Sequence, residues 1–246
     1  MQPIVSNYEI VADIPAGDAT FIGDSSAEKS LIFSIFEDQA PEIQVLDIGF
    51  GRGTLGELIK SNPGTRHWQV DGIDGYAVTC RNVELFKKGY YRNIWHGQAQ
   101  EMTQARMQGY DVLCLLDVIE HLTSDEAKAL LRRLLASLRA GAYLFISTPL
   151  WFYPQGQQQA GDLEAHRIGV PAASMMALLP RMYTISRSFV GNFVYDRQSL
   201  DYVDHFHPVA DPAFSLEQGV NVALAVGMAV TPGVVQRMPE PVRLAR

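Results

Sequence analysis

The sequence predicts an α/β fold: one doubly wound, mostly parallel sheet of seven strands whose final strand runs antiparallel. Three observations carry this. Short apolar runs alternate with segments of helical period, at spacings that imply right-handed crossovers between parallel strands. Residues 112–116 are uninterruptedly apolar, as a central strand covered on both faces must be. Between the first apolar run and its helix lies Gly49-Phe-Gly51-Arg-Gly53, a glycine-rich turn at a strand's carboxyl end, where open α/β sheets bind their ligands. With 246 residues, 47% of them hydrophobic and 19% charged, the chain is large and apolar enough to bury the core of one such domain.

Taken in order, residues 1–24 are polar and rich in turn formers, with no period. Ser25 to Gln39 read as a helix, because Leu31, Ile32, Ile35 and Phe36 are spaced for one buried face. The first strand covers 43–48. A helix follows with Leu55, Leu58 and Ile59 on one face, and Pro63 stops it, since the residue before a proline avoids helical backbone. Further strands are expected near 68–73, 91–95, 111–116 and 142–147, with a helix starting near Tyr76. The helix after the fourth strand has the clearest signals. Thr123-Ser-Asp-Glu126 is a capping box, Leu130, Leu131, Leu134, Leu135 and Leu138 form its stripe, and Gly141 ends it.

A long loop then leaves Pro149 and reaches Asp162-Leu-Glu-Ala-His166-Arg167; loops of that length at a strand's carboxyl end are usually functional. Tyr183–Val190 and Val222–Val230 are expected to complete the sheet. The uncharged stretch Gln218–Gln236 reads as a strand with flanking loops, because Asn221, Gly227, Thr231, Pro232 and Gly233 interrupt it too often for a membrane span. His205 and His207 would share a face if extended, a conceivable metal pair, though solvent-facing polar residues fit the segment better. The chain is therefore expected to be one domain: an N-terminal segment 1–42, a cofactor-binding core 43–150, substrate-side loops and last strands 151–236, and a tail 237–246.

Composition narrows the partners. A net charge of −7 argues against nucleic acid, which demands a basic face. Two cysteines, Cys80 and Cys114, make no disulfide framework and read as reduced thiols of a cytoplasmic protein. Met1 to Ile10 lacks the basic start and apolar core of a signal peptide, and no membrane insertion is expected.

Residues 45–56, Val-Leu-Asp-Ile-Gly-Phe-Gly-Arg-Gly-Thr-Leu-Gly, carry the chemistry. Glycines allow positive φ and a close approach to a ligand, and the helix start offers unpaired N–H groups to an anionic group. A nucleoside-containing cofactor is expected. Gly51-Arg-Gly53-Thr-Leu-Gly56 is a literal G-x-G-x-x-G, and Asp74 lies 18 residues beyond Gly56, near the spacing of a nicotinamide site. Asp47 argues for a different ligand. A carboxylate ending an apolar strand is costly without a purpose, and it would repel a pyrophosphate while attracting an ammonium and a sulfonium.

The string resembles motif I of the class I S-adenosylmethionine (SAM)-dependent methyltransferases, hydrophobic-Asp-hydrophobic-Gly-x-Gly-x-Gly, at every signature position. The resemblance implies a Rossmann-like fold, SAM as cofactor, and Asp47, Gly49, Gly51 and Gly53 as cofactor-binding residues. It implies that Asp74, ending Trp68-Gln-Val-Asp-Gly-Ile-Asp74, accepts hydrogen bonds from the ribose hydroxyls, although a helix cap near Tyr76 is its plainer role. In Ile94-Trp-His-Gly-Gln-Ala-Gln-Glu-Met102 the family usually has an acidic residue facing the adenine amino group; here Gln98 stands there, and its side-chain oxygen can accept the same bond.

Tyr110 to Leu122 resembles the segment after strand four in small-molecule methyltransferases, including the ubiquinone-biosynthesis O-methyltransferases. There an acidic-x-x-Glu-His cluster is linked to metal binding, and Asp117, Glu120 and His121 match it. Holding the loop is the competing role for Glu120 and His121, and a divalent metal is conceivable there but is not expected as a cofactor. Asp117 is taken with the cofactor residues. The helix at 25–39 would belong to the cofactor lid. The loop ending at His166 resembles, loosely, one in methyltransferases of polysaccharide and small-metabolite pathways, where a histidine closes over the substrate. His121 and His166 are accordingly the candidate catalytic bases for a hydroxyl acceptor of a metabolite or sugar. Two alternatives remain: an NAD(P)-dependent oxidoreductase, which leaves Asp47 unexplained and lacks a Tyr-x-x-x-Lys pair, and a non-catalytic SAM-fold binding protein, which would not need the polar rim.

Overall fold

The computed structural model describes residues 1–13, 27–36, 42–156 and 163–239. Two short strands, β1 (Val5–Ser6) and β2 (Glu9–Ile10), precede β3 (Gln44–Ile48), α1 (Thr54–Ser61) and β4 (Gln69–Asp74). Then come α2 (Ala77–Cys80), α3 (Glu84–Lys87), β5 (Ile94–His96), α4 (Gln104–Met107), β6 (Val112–Leu116), α5 (Ser124–Ser137) and β7 (Tyr143–Pro149). The chain continues through α6 (Ala172–Ala177), β8 (Met182–Ile185), β9 (Val190–Tyr195), α7 (Leu216–Ala225) and β10 (Gln236–Arg237).

All strands join one sheet in the order β10-β8-β9-β7-β6-β3-β4-β5-β1-β2. Strands β3 to β7 pair in parallel, and β9 runs antiparallel to both β7 and β8. The expected sheet is therefore present as β8-β9-β7-β6-β3-β4-β5, and the two-residue strands β1, β2 and β10 extend it to ten. From β3 the chain builds outward through β4 and β5, then returns to add β6 on β3's other side. That reversal opens a crevice at the carboxyl ends of β3 and β6.

Alternation along the strands divides the core. Leu46 and Ile48 of β3 join Leu113 and Leu115 of β6 under the leucine stripe of α5. Val45 faces the other layer with Val70, Val112, Cys114 and the α1 residues Leu55 and Ile59. Asp47 shares its face with Val45, since side chains two apart point the same way. Helix α5 starts at its capping box, where the Glu126 amide donates to Thr123 Oγ1 and Glu126 accepts from the Thr123 amide.

Several expectations need correcting. The final strand pair is Met182–Ile185 with Val190–Tyr195, not Tyr183–Val190 with Val222–Val230. The segment read as a strand within Gln218–Gln236 begins as helix α7, capped by Ser215, whose Oγ accepts from the Gln218 amide. His205 and His207 do not share an extended face: Arg197–His205 is a 3₁₀ run started by Asp196, which accepts from the Gln198 amide. Helix α5 stops at Ser137, and Gly141, with φ of 78°, belongs to the turn before β7. The helix expected over 25–39 is a 3₁₀ segment at Lys29–Ser34 burying Leu31 and Ile32; residues 25, 26 and 37–39 lie outside the described residues. Of the expected tail, Gln236–Arg237 pair with β8, while 240–246 lie outside the described residues. Among the described residues no helix is long and apolar enough to cross a membrane.

Candidate functional site

The crevice is a cavity of about 360 Å³, within the usual range of small-molecule sites. Asp47, Gly49, Gly51, Asp74, Gln98 and Asp117, six of the seven residues expected to bind a cofactor, line its wall. Gly53, the seventh, closes the turn beneath it, its amide donating to the Phe50 carbonyl at 2.8 Å. Gly49, Gly51 and Gly53 all have positive φ. A Cβ on Gly49 would come within 2.6 Å of Val118 Cγ2, and one on Gly53 within 2.6 Å of Leu85 Cδ2. The turn can therefore be built only without side chains at those two positions.

Asp47 is buried at the end of β3. Tyr91 reaches across from the residues before β5 and donates its hydroxyl to Asp47 Oδ2 at 2.6 Å. The same phenol accepts the Gly56 amide of α1 at 3.2 Å, satisfying one of the orphan donors of that helix start. Burial pushes the Asp47 carboxyl up to about 6, against the opposing pull of the Tyr91 bond and the Lys29 charge. A site that keeps an ionisable carboxyl this unfavourably placed is poised for a cationic group.

Asp74 does cap the chain, and it does more. Its Oδ1 accepts from the Tyr76 amide at 2.8 Å, and its Oδ2 accepts from the Gly51 amide at 3.0 Å. The carboxylate thus ties the glycine turn to β4 while lining the cavity, with a lone pair on each oxygen still available. Burial raises its pKa, and the Tyr76 and Gly51 amides oppose the rise. Gln98 is exposed on the rim, its amide donating to Glu101 Oε1 at 3.2 Å.

Asp117 follows β6 with φ of 53°, a left-handed backbone that costs a non-glycine residue of order 1–3 kcal/mol. Ser147 of β7 holds it there: its hydroxyl donates to Asp117 Oδ1 at 2.6 Å and accepts the Asp117 amide at 2.9 Å. His121 lines the cavity, and His166 stands behind it with ring centroids 4.6 Å apart. His166 Nδ1 lies 2.8 Å from the Tyr153 carbonyl, so that nitrogen carries the proton and Nε2 is left basic. Burial and then the neighbouring His166 push the His121 imidazole down to about 4, and its buried Nδ1 has no hydrogen-bond partner among the described residues. Burial also lowers His166.

Asp117, Glu120 and His121 do not converge as the resemblance implied. Among the described residues the donor atoms that come together, all within 4.8 Å of one another, belong to Glu120, His121 and His166. Glu120 is buried and its carboxylate accepts from Thr148 Oγ1 at 3.1 Å; burial, then Asp117, raise its pKa. The Glu120 carbonyl accepts the Arg167 amide at 2.8 Å, so holding the loop is part of its work. The loop passes on over the site, where the Leu163 amide donates to the Tyr76 hydroxyl at 2.6 Å. Residues 157–162 lie outside the described residues.

Sequence reasoning missed Lys29, Tyr76, Tyr91 and Ser147. No local pattern marks them, since each meets the site from a different element.

The sequence matches the family model described as Methyltransferase domain over residues 27–180, more than half of the chain. A comparison with curated proteins finds no match. Among solved structures, the small RNA methyltransferase HEN1 superposes with a TM-score of 0.50 at 16% identity, covering 76% of this chain and 28% of its own. The N-terminal domain of EvdMO1, solved in the presence of SAH and D-fucose, gives a TM-score of 0.47 at 16% identity, with coverage of 73% and 83%. The mitomycin 7-O-methyltransferase MmcR gives 0.45 at 14% identity, covering 69% of this chain and 53% of its own, so the chain spans about half the length of that protein. At these identities the likeness is one of fold.

Proposed function

The chain belongs to the methyltransferase-domain family, and from that premise we propose that it transfers a methyl group from SAM to a hydroxyl oxygen of a small-molecule metabolite or sugar. One observation carries the reading. Two buried carboxylates, Asp47 and Asp74, lie at the carboxyl ends of adjacent parallel strands beside a glycine-rich turn, in one cavity of ligand size. Those acceptors fit SAM. Asp47 would take the ammonium, Asp74 the ribose hydroxyls, and Gln98 on the rim the adenine amino group, with Asp117 beside them.

Bound SAM supplies a methyl group on a sulfonium leaving group. The chain's task is then alignment, exclusion of water and removal of one proton. Holding the reactants in line contributes roughly 7–11 kcal/mol of barrier reduction in favourable cases. Leu163, Glu164 and Arg167, on a loop tied to Tyr76 and Glu120, line the cavity and would help to shield a bound ligand from water. His121, on the cavity wall, would take the proton of the acceptor hydroxyl as that oxygen is methylated. Its depressed pKa keeps it neutral, and so able to accept, at all pH values above about 4. His166 behind it is the second candidate.

The test is formation of S-adenosylhomocysteine with a panel of hydroxylated acceptors, for the wild type, His121→Ala, His166→Ala and the double variant. Loss of the true base lowers turnover by about 10²–10⁴-fold with SAM affinity intact. Full turnover in all three variants would rule both histidines out and point to a nitrogen or carbon acceptor. Turnover lost to a chelator and restored by a divalent ion would assign Glu120, His121 and His166 to a metal instead.

A further inference from the structure

We propose that Asp117 binds the methyl acceptor rather than the cofactor, and that Ser147 is the positioning residue that aims it; this rests on the SAM reading of the cavity. SAM carries four groups that donate hydrogen bonds: the ammonium, two ribose hydroxyls and the adenine amino group. Asp47, Asp74 and Gln98 answer all four. Asp117 is a further acceptor on the same wall, and no donor of the cofactor is left for it.

Its place in the sheet agrees. Asp47, Asp74 and Gln98 lie at the carboxyl ends of β3, β4 and β5, so the cofactor runs outward across the sheet from β3. Asp117 follows β6, the neighbour of β3 on the other side. The Asp117 charge acts on Glu120 and His166, and it is not among those acting on Asp47 or Asp74. Asp117 therefore stands beyond the methyl donor and beside the candidate bases.

The backbone at Asp117 is strained. Five described non-glycine residues have positive φ, and Asp117, at 53°, is the one of them that lines the cavity. Such strain persists only where the surroundings over-determine it, and it collects at functional sites. Ser147 supplies the determination. It pairs with Leu116 in the β6–β7 ladder, next to Asp117, and it is fully buried. Its hydroxyl donates to Asp117 Oδ1 and accepts the Asp117 amide, fixing both side chain and backbone. Asp117 Oδ2 keeps no hydrogen bond among the described residues. One carboxylate oxygen is thus spent on orientation, and the other is free for a ligand that donates, here the acceptor hydroxyl.

The experiment measures SAM affinity by calorimetry, and acceptor KM and kcat by S-adenosylhomocysteine formation, for wild type, Asp117→Asn and Ser147→Ala. The acceptors are a panel of simple sugars, phenols and hydroxy acids. Asn tolerates left-handed backbone, so Asp117→Asn keeps the fold and mainly loses the charge. It should raise the acceptor KM about 10-fold, as expected for a weakened charge-assisted bond, with SAM affinity within about two-fold of wild type. Ser147→Ala should raise the same KM and spare SAM affinity, a split that a merely structural role would not produce. An unchanged acceptor KM in Asp117→Asn, or a matching loss of SAM affinity, would overturn the assignment. An unchanged KM in Ser147→Ala would overturn the role of Ser147 alone; if that variant does not fold, Asp117→Asn decides. Failure of the wild-type chain to bind SAM would overturn the SAM reading. Binding of SAM without methylation of any panel member would overturn the hydroxyl reading, and the assignment with it.

Discussion

Replacing Asp47 by Asn should make the ligand-free protein more stable at pH 8 while weakening its hold on SAM. Asn keeps the shape and can still accept the Tyr91 hydroxyl, so the substitution mainly removes a charge. The folded pKa near 6 lies above the ordinary aspartate value of 3.8. Between those values the native state holds more protons than the unfolded chain, so stability falls as pH rises through the window and stays low above it. A gap of that size corresponds to roughly 3 kcal/mol, or roughly 6–12 °C in melting temperature for a chain of this length. Urea unfolding of wild type and variant, without ligand, checks this at pH 4 and pH 8. The variant should be ahead at pH 8 and level with wild type at pH 4. A variant less stable at pH 8, or an equal difference at both values, would refute the claim that Asp47 is kept charged at a cost to folding.

The same network supports further expectations. Tyr91→Phe removes the donor that favours ionised Asp47, so SAM binding should weaken and its acid midpoint should rise, read by titrating affinity against pH. Gly53→Ala forces a side chain into a left-handed position against Leu85; it should lose SAM binding and at least roughly 1–2 kcal/mol of stability, measured by calorimetry and denaturant unfolding. Asp74→Asn should weaken SAM about 10-fold or more through the lost charge-assisted ribose bonds, while Asp74→Ala should also destabilise the turn because the Gly51 and Tyr76 amides lose their acceptor. If His121 is the base, the acid limb of turnover should fall near pH 4 and disappear from the residual rate of His121→Ala.

The parallel core was legible because its signals are local. Apolar runs, the glycine turn and the Thr123 capping box each follow from residues adjacent in sequence, and they place β3, β4, β6 and α5 almost to the residue. The C-terminal third was read less well. The uncharged segment Val222–Val230 reads as a strand, whereas the Ser215-x-x-Gln218 box, the overlooked signal, starts α7 there. Strand β9 was missed because Gly191 and Asn192 interrupt it. Both have tertiary reasons: Gly191 faces Leu150 and Phe193, and Asn192 holds the Glu28 amide. In the site, the carboxylates and glycines were visible while their supports were not. Tyr91 looks like one aromatic residue among many until the fold sets its hydroxyl against Asp47. The same holds for Ser147 under Asp117, while His166 is named by the sequence and only its place beside Glu120 and His121, from a loop more than forty residues later in the chain, is set by the fold.

The central claim is that the glycine turn and its two carboxylates hold SAM. Calorimetric titration of the purified wild-type chain with SAM, S-adenosylhomocysteine and NADH tests it directly. SAM and S-adenosylhomocysteine should bind in the micromolar range at about one molecule per chain, with no heat from NADH. Binding of NADH without binding of either sulfur ligand would contradict it.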